Sequence, residues 1–236
     1  MWTRCRTEAA GSTAILHPMP NRSRKNATGA GRRAVTRREV LDIAAALFSQ
    51  RGYRATSLGL VAKELGVSRQ ALYYHFMSKD EILAALYEEL MTKLEVAVMD
   101  VLAEGEGGDV PFERLIGAHT EVTLANADLM ALLVYERPEL ARLKWLRPAA
   151  RRRDYAGLFI PAYEAGARRG ELLAMDPWAA VNTVLSAING VVLFHHGESG
   201  RTTPDAVREQ LHALLATGIF TKKRRGRVAA ALASAA

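Results

Sequence analysis

The 236-residue sequence predicts an all-α fold, a three-helix helix-turn-helix head followed by a larger helical body. Three observations carry this. Apolar residues recur at helical spacing from residue 40 onward, and capping residues and glycines bracket each apolar run. Strand-type alternation is missing from the sequence.

The elements follow in order. Residues 1–35 are rich in Arg, Ser, Thr, Gly and Asn and read as a disordered basic arm; Met19 offers an alternative start. Thr36-Arg37-Arg38-Glu39 is a capping box, followed by Val40, Ile43, Ala44 and Leu47 on one helical face, with Gly52 as the stop. Ser57 caps a second helix carrying Leu60, Val61 and Leu65, and Gly66 ends it. Ser68 caps a third, short helix over 68–75. Ser78-Lys79-Asp80-Glu81 reads as another capping box. It opens a long helix with a stripe of Ile82, Leu83, Leu86, Leu90, Leu94, Val98 and Val101. "GEGGD" (105–109) breaks it, and Pro111 starts a helix to about Asn126. Pro138, Pro148 and Pro161 punctuate the middle. Pro177 and Pro204 sit at first-turn positions of two final helices. The expected divisions are thus an arm (1–35), a helix-turn-helix domain (36–79), a ligand-binding and dimerisation domain (80–220) and a basic tail (221–236).

Charge is distributed unevenly. Residues 1–38 hold nine Lys/Arg against one acidic residue, 39–79 five against three, 80–220 thirteen against twenty-one, and 221–236 five against none. A polyanion is therefore expected to meet the front of the molecule and not its bulk. The single cysteine, Cys5, excludes a disulfide framework or a cysteine-based zinc site and suits a reducing cytoplasm. No run approaches the apolar length of a membrane span. No nucleotide loop, metal-ligand spacing or cofactor motif appears. His119 and the pair His195-His196 lack acidic or thiol partners at ligand spacing.

Helix 57–65, the turn Gly66-Val67 and helix 68–75 have the form of a helix-turn-helix. Two helices crossing steeply need a small contact residue, here Ala62, and a glycine that permits the turn, here Gly66. Val61, Leu65, Val67, Leu72 and Phe76 then pin both to the first helix, with Phe48 and Tyr53 closing that core. The second helix becomes the recognition helix. Arg69 and Gln70 at its N-terminus have the chemistry to pair with guanine and adenine, and Tyr74 is a third candidate base contact. Tyr73, His75, Lys79, Thr56, Ser57 and Ser68 are candidate phosphate contacts. Arg32 and Arg33 of the arm are candidates for the minor groove. The bland alternatives are packed rings at Tyr73, Tyr74 and His75 and a merely solvated arm.

The stretch "AALFSQRGYRATSLGLVAKELGVSRQALYYHFMSKDEILAAL" resembles the N-terminal domain of the TetR family of transcriptional repressors. The resemblance rests on the joint spacing of Gly52-Tyr53, Thr56, Val61-Ala62, Gly66-Val67-Ser68, Leu72-Tyr73, His75-Phe76 and Lys79. It implies phosphate contacts at Tyr73, His75 and Lys79, and base contacts at Arg69, Gln70 and Tyr74. Gly59 inside the second helix and Met77 depart from the pattern; Gly59 costs about 1 kcal/mol of helix stability.

A single small head offers little surface, so a homodimer on a palindromic operator of double-stranded DNA is expected. The last two helices are the expected interface, with Trp178, Val181, Val184, Leu185, Ile188, Val191 and Val192 on one and Val207, Leu211, Leu214, Leu215 and Ile219 on the other. Family dimers are built as such four-helix bundles. The middle, 111–175, is expected to frame a small-molecule cavity lined by His119, Val122, Thr123, Met130, Leu133, Tyr135, Trp145, Tyr155, Phe159 and Tyr163. Arg142, Lys144, Arg147, Arg151, Arg152 and Arg153 form a basic cluster, read either as a solvated face balanced by acids or as a mouth for a phosphorylated ligand. The segment "VYERPELARLKWLRPAARRRDYAGLFIPAYEAGARRGEL" is similar to family members that sense acyl-CoA thioesters, which implies Arg152 and its neighbours as phosphate holders. Two other classes stay open on the sequence: an interaction module whose basic tails bind nucleic acid or membrane, and an acyl-ester enzyme.

Overall fold

The computed structural model describes residues 34–105, 110–197 and 204–219. Cys5, Arg32, Arg33 and the rest of the arm up to residue 33 lie outside them, as does the basic tail; of the predicted arm, Ala34 and Val35 are described, and Val35 is buried in the core. Every regular element described is helical.

Helix α1 (Arg37–Arg51) starts at the predicted capping box: Thr36 Oγ1 accepts from the Glu39 N–H, and the Glu39 carboxylate accepts from the Thr36 N–H. Gly52, at φ 83°, stops it. Ser57 caps α2 (Leu58–Leu65), and Gly66 follows in the left-handed region at φ 70°, a turn that a side chain would strain. Ser68 caps α3 (Arg69–Tyr73). This helix is shorter than the predicted 68–75. The chain leaves it so that Phe76 can enter the core, where it is 3% exposed, with the Phe76 N–H still bonded to the Leu72 carbonyl at 3.1 Å. Val40, Ala44, Phe48, Val61, Ala62 and Leu72 are all buried, so the three helices share one small core. Phe48 and Tyr53 close it edge-to-face at 5.0 Å, as predicted.

Helix α4 (Lys79–Ala103) runs from that head into the body. Its predicted stripe is buried from Ile82 to Val98, with Val101 half-buried. Ser78 caps it, but the reciprocal half of the expected box is displaced: the Glu81 carboxylate accepts from Met77 N–H at 2.9 Å. The body continues with α5 (Phe112–Ala125), α6 (Ala127–Tyr135) and α7 (Arg137–Arg142). A 3-10 turn (Lys144–Leu146) leads to α8 (Pro148–Gly157) and α9 (Ile160–Arg168), and then α10 (Pro177–Gly197) and α11 (Pro204–Gly218). Prolines stand in the first turn of α7, α8, α9, α10 and α11, where a missing N–H leaves no bond unmade. α5 lies along α4, and α10 packs against α5, α6, α8 and α9 at the centre of the body. None of the described helices is long and apolar enough to cross a membrane.

One expectation is corrected here. Val181, Val184, Leu185 and Ile188 of α10 are buried within the protomer's own core. The outward face of α10 carries Ala179, Asn182, Thr183, Ser186 and Ala187. A central helix must pack most of its large residues against its own chain, which leaves small ones and the exposed Trp178 outside.

Candidate functional site

Helix α3 rests on the head by Leu72, fully buried, and turns the rest of its surface outward. Ser68, Arg69, Gln70, Tyr73 and Tyr74 are exposed, Tyr74 by 86% and Tyr73 by 39%. A five-residue helix has one buried position to give, and Leu72 takes it. Ser57 is also exposed, its Oγ occupied by the Leu60 N–H. Arg69 lies back across α2. A Cβ at Gly59 would sit 2.5 Å from the Arg69 Nη2, so the glycine that departs from the sequence pattern makes room for this guanidinium.

Three predicted phosphate contacts have other work. Thr56 is 1% exposed, and its hydroxyl lies between the Leu47 and Gly52 carbonyls, tying α1 to the next loop. Lys79 Nζ donates to the carbonyls of Tyr53, Arg54 and Thr56 at 2.9–3.2 Å and lies 4.4 Å from the Tyr53 ring. Both side chains therefore hold the α1–α2 loop and are not aimed outward. His75 Nε2 donates to the Val35 carbonyl at 2.7 Å, fastening the residues before α1 to the end of the recognition element. The Tyr53 hydroxyl donates to Asp80; burial and this carboxylate push its pKa up.

That loop is also bolted to the body. Arg54 Nε and Nη2 donate to Glu139 Oε1 at 2.8 and 2.7 Å, and the Tyr53 N–H donates to Glu136 Oε1 at 3.2 Å. The Arg54 guanidinium holds the Glu139 carboxyl below the usual carboxylate range. Arg38 reaches Glu89 of α4, which also pairs with Lys93. Sequence reasoning missed Arg54 and Glu139. They stand 85 residues apart, and no periodicity links such a pair.

In the body, His119, Thr123, Met130, Tyr155, Phe159 and Tyr163 are all buried, with Val122 half-buried. His119 Nδ1 meets the Tyr155 hydroxyl at 2.8 Å, and Nε2 meets Asn189 Oδ1 at 3.0 Å. Burial pushes the His119 pKa down to about 4, so the imidazole is neutral near pH 7. Asn189 was not foreseen; an amide set one residue after the buried Ile188 of α10 was the available signal. Phe159 packs edge-on against both His119 and Tyr155.

The remaining predicted lining residues are not part of this cluster. Tyr135 and Trp145 are each 65% exposed, because one ends α6 and the other sits in the 3-10 turn at the surface. Tyr163 is fully buried, packs on Phe112 and donates to the Leu173 carbonyl, which makes it a core residue that fixes the chain after α9. The one cavity described, an open groove of about 650 Å³, lies elsewhere: Arg37, Leu41, Phe76, Ala84, Glu88 and Trp145 are among its walls. Part of the basic cluster is ion-paired. Arg151 binds Glu95 in bidentate fashion and also Glu88, while Arg142 meets Glu139. Arg152 is half-buried near Tyr87, and Lys144, Arg147 and Arg153 are exposed. No group of His, Cys, Asp and Glu among the described residues is placed to hold a metal ion.

A trihelical head with an outward recognition helix, joined by one long helix to an all-α body, defines a helix-turn-helix DNA-binding regulator. Residues 40–86 match the family model described as bacterial regulatory proteins, tetR family, and residues 111–219 match the tetracyclin repressor-like C-terminal domain. A TetR/AcrR-family regulator from Thermobifida fusca is 31% identical, covers 77% of this chain and 97% of its own, and superposes with a TM-score of 0.58. The chain belongs to the TetR family of ligand-responsive transcriptional regulators. The repressor KstR2 of Rhodococcus jostii is 27% identical over 188 residues, 78% of this chain and 90% of KstR2. Other curated relatives are matched over only 50% and 57% of their length. AibR, whose structure contains isovaleryl coenzyme A and operator DNA, shares the fold at 21% identity and a TM-score of 0.60, covering 75% of this chain and 96% of AibR.

Proposed function

We propose that this protein is a homodimeric repressor whose operator affinity is lowered by an apolar small molecule bound in the body, and that it is not an enzyme. The observation that carries the reading is the outward row of Arg69, Gln70 and Tyr74 on a helix held by Leu72. Arg69 and Gln70 read base edges, Tyr74 adds a third base contact, and Ser57, Ser68, Tyr73 and the arm's Arg33 meet the backbone. The small outward residues of α10, with the exposed Leu214 of α11, suit close packing of two α10–α11 pairs. An acyl-CoA thioester is the effector class we favour. AibR holds such a ligand in the same fold, and Arg147, Arg152 and Arg153 offer charges for its phosphates. Coupling runs through α4 and through the Arg54–Glu139 bridge. An effector that prefers a different head-to-body angle weakens DNA binding, and DNA weakens effector binding by the same factor.

Selection of bound duplexes from a random pool, followed by titration of the winner and a scrambled duplex at one salt concentration, tests this. The expected result is a palindrome bound at least about a thousandfold more tightly than the scrambled duplex. Equal affinity for both points instead to a basic module that binds any polyanion.

A further inference from the structure

We infer that the inner end of the effector site recognises one uncharged carbonyl group, through the Nε2–H of His119. The effector is then an apolar molecule with a ketone, ester or thioester oxygen at its buried end. This rests on the ligand-binding role proposed above for the body.

Four polar side chains are fully buried among the described residues, and three of them, His119, Thr120 and Thr123, lie on α5. Thr120 satisfies itself on the Ile116 carbonyl of its own helix. His119 differs, because its two nitrogens reach two other helices, Tyr155 on α8 and Asn189 on α10. Asn189 Oδ1 can only accept, so Nε2 carries the proton. Nδ1 is then the acceptor, and the Tyr155 O–H donates to it. The tyrosine thus fixes the imidazole as an Nε2–H donor with a defined direction.

Stability alone does not call for this arrangement. Apolar groups of the same shape in place of a buried hydrogen-bonded set are near neutral or better. Aromatic rings surround it, with Phe159 against His119 and Tyr155, and Phe112 behind Phe159. Aromatic side chains with a few convergent polar groups are the lining a ligand site has, and the groove beside the head does not reach them. The members also differ in freedom. His119 and Tyr155 are buried, whereas Asn189 is half-buried and followed by Gly190, beside which there is open space. Asn189 can therefore turn outward. The Nε2–H then has only the Thr123 hydroxyl, at 3.5 Å, and a buried donor so poorly paired is costly. A ligand oxygen entering in place of the Asn189 Oδ1 restores the bond.

Charge narrows the class. Among the described residues, the hydrogen bonds of His119, Tyr155 and Asn189 run to one another, with Thr123 at 3.5 Å, and not to a cation. Arg151, the nearby arginine of α8, is held by Glu88 and Glu95. A carboxylate buried here has no counter-charge, and an ammonium group faces an N–H donor. An uncharged acceptor fits both limits.

The test is calorimetric titration of the full chain with methyl hexyl ketone, octane and octanoate, which share a carbon number. The ketone is expected to bind about tenfold more tightly than octane or octanoate, the worth of one buried hydrogen bond. His119→Leu is expected to erase that preference. Tyr155→Phe, which keeps the ring packing, frees the tautomer and is expected to reduce the ketone-over-octane preference several-fold. Equal binding of ketone and octane by the wild type, or a preference for octanoate, overturns the carbonyl inference and leaves the apolar site standing. Binding of none of the three removes the site itself, and the inference with it.

Discussion

The head and the body solve opposite problems. Residues 36–79 place polar side chains outside on a helix too short to bury more than Leu72, and the caps and turns that set their helices act on neighbours three or four residues away. Residues 80–219 bring polar groups inside, and their positioning comes from helices that meet across long sequence distances, as with His119 and Asn189. Recognition of a large external polyanion needs exposure and rigidity. Recognition of a small apolar molecule needs burial and a few movable groups. The two regions join at α4 and at the bridge from Arg54 to Glu139.

The largest expected effect concerns the body. His119 is neutral when folded, with its pKa down near 4, and it protonates near 6.5 when unfolded. The unfolded chain therefore binds more protons between these values, and stability rises with pH across that window. Denaturant titrations from pH 7 to pH 4 are expected to show this group removing up to about 3 kcal/mol of stability on acidification. His119→Gln is expected to flatten that slope. An unchanged slope would mean that the imidazole is wetter than the structure has it.

Next in size is base reading by the head. Arg69→Ala is expected to cost about 1–3 kcal/mol on the selected operator and far less on scrambled DNA. Equal losses on both would move Arg69 to the phosphate-contact group. Lys79→Ala sharpens the division within the head. With its amine on three carbonyls, its loss is expected to lower unfolding stability by roughly 1.5 kcal/mol. The salt dependence of DNA binding should stay the same; a slope reduced by about one unit would return Lys79 to the backbone.

The head was far more legible in the sequence than the body, and the reason is range. Thr36, Gly52, Ser57, Gly66 and Ser68 act on residues three or four positions away, so their spacing alone gives three helices and their turns. The same local rules could not assign Lys79 or Thr56. Whether a side chain points at DNA or back at a carbonyl depends on the path of the α1–α2 loop. In the body, the helices were foreseeable from prolines and apolar runs. Which faces meet was not. Val181 and Ile188 read as interface from the sequence, and the central position of α10 makes them core instead. Tyr135 looked like a cavity wall by residue type, yet its place at a helix end leaves it outside, and Trp145, at a turn, borders only the open groove beside the head.

The smallest expected effect is at Gly59. Gly59→Ala removes a helix-weakening glycine and is expected to raise stability by up to about 1 kcal/mol. The added methyl group displaces the Arg69 guanidinium, so base preference at the Arg69 position should shift while overall affinity changes little.

The central claim is that two copies of α3 are carried at a fixed span by a helical body. Inserting about five base pairs between the half-sites of the selected operator turns them to opposite faces of the duplex. The account predicts that affinity falls to the level of scrambled DNA and returns when a full turn of about ten base pairs is inserted. Affinity that is indifferent to both insertions would contradict it.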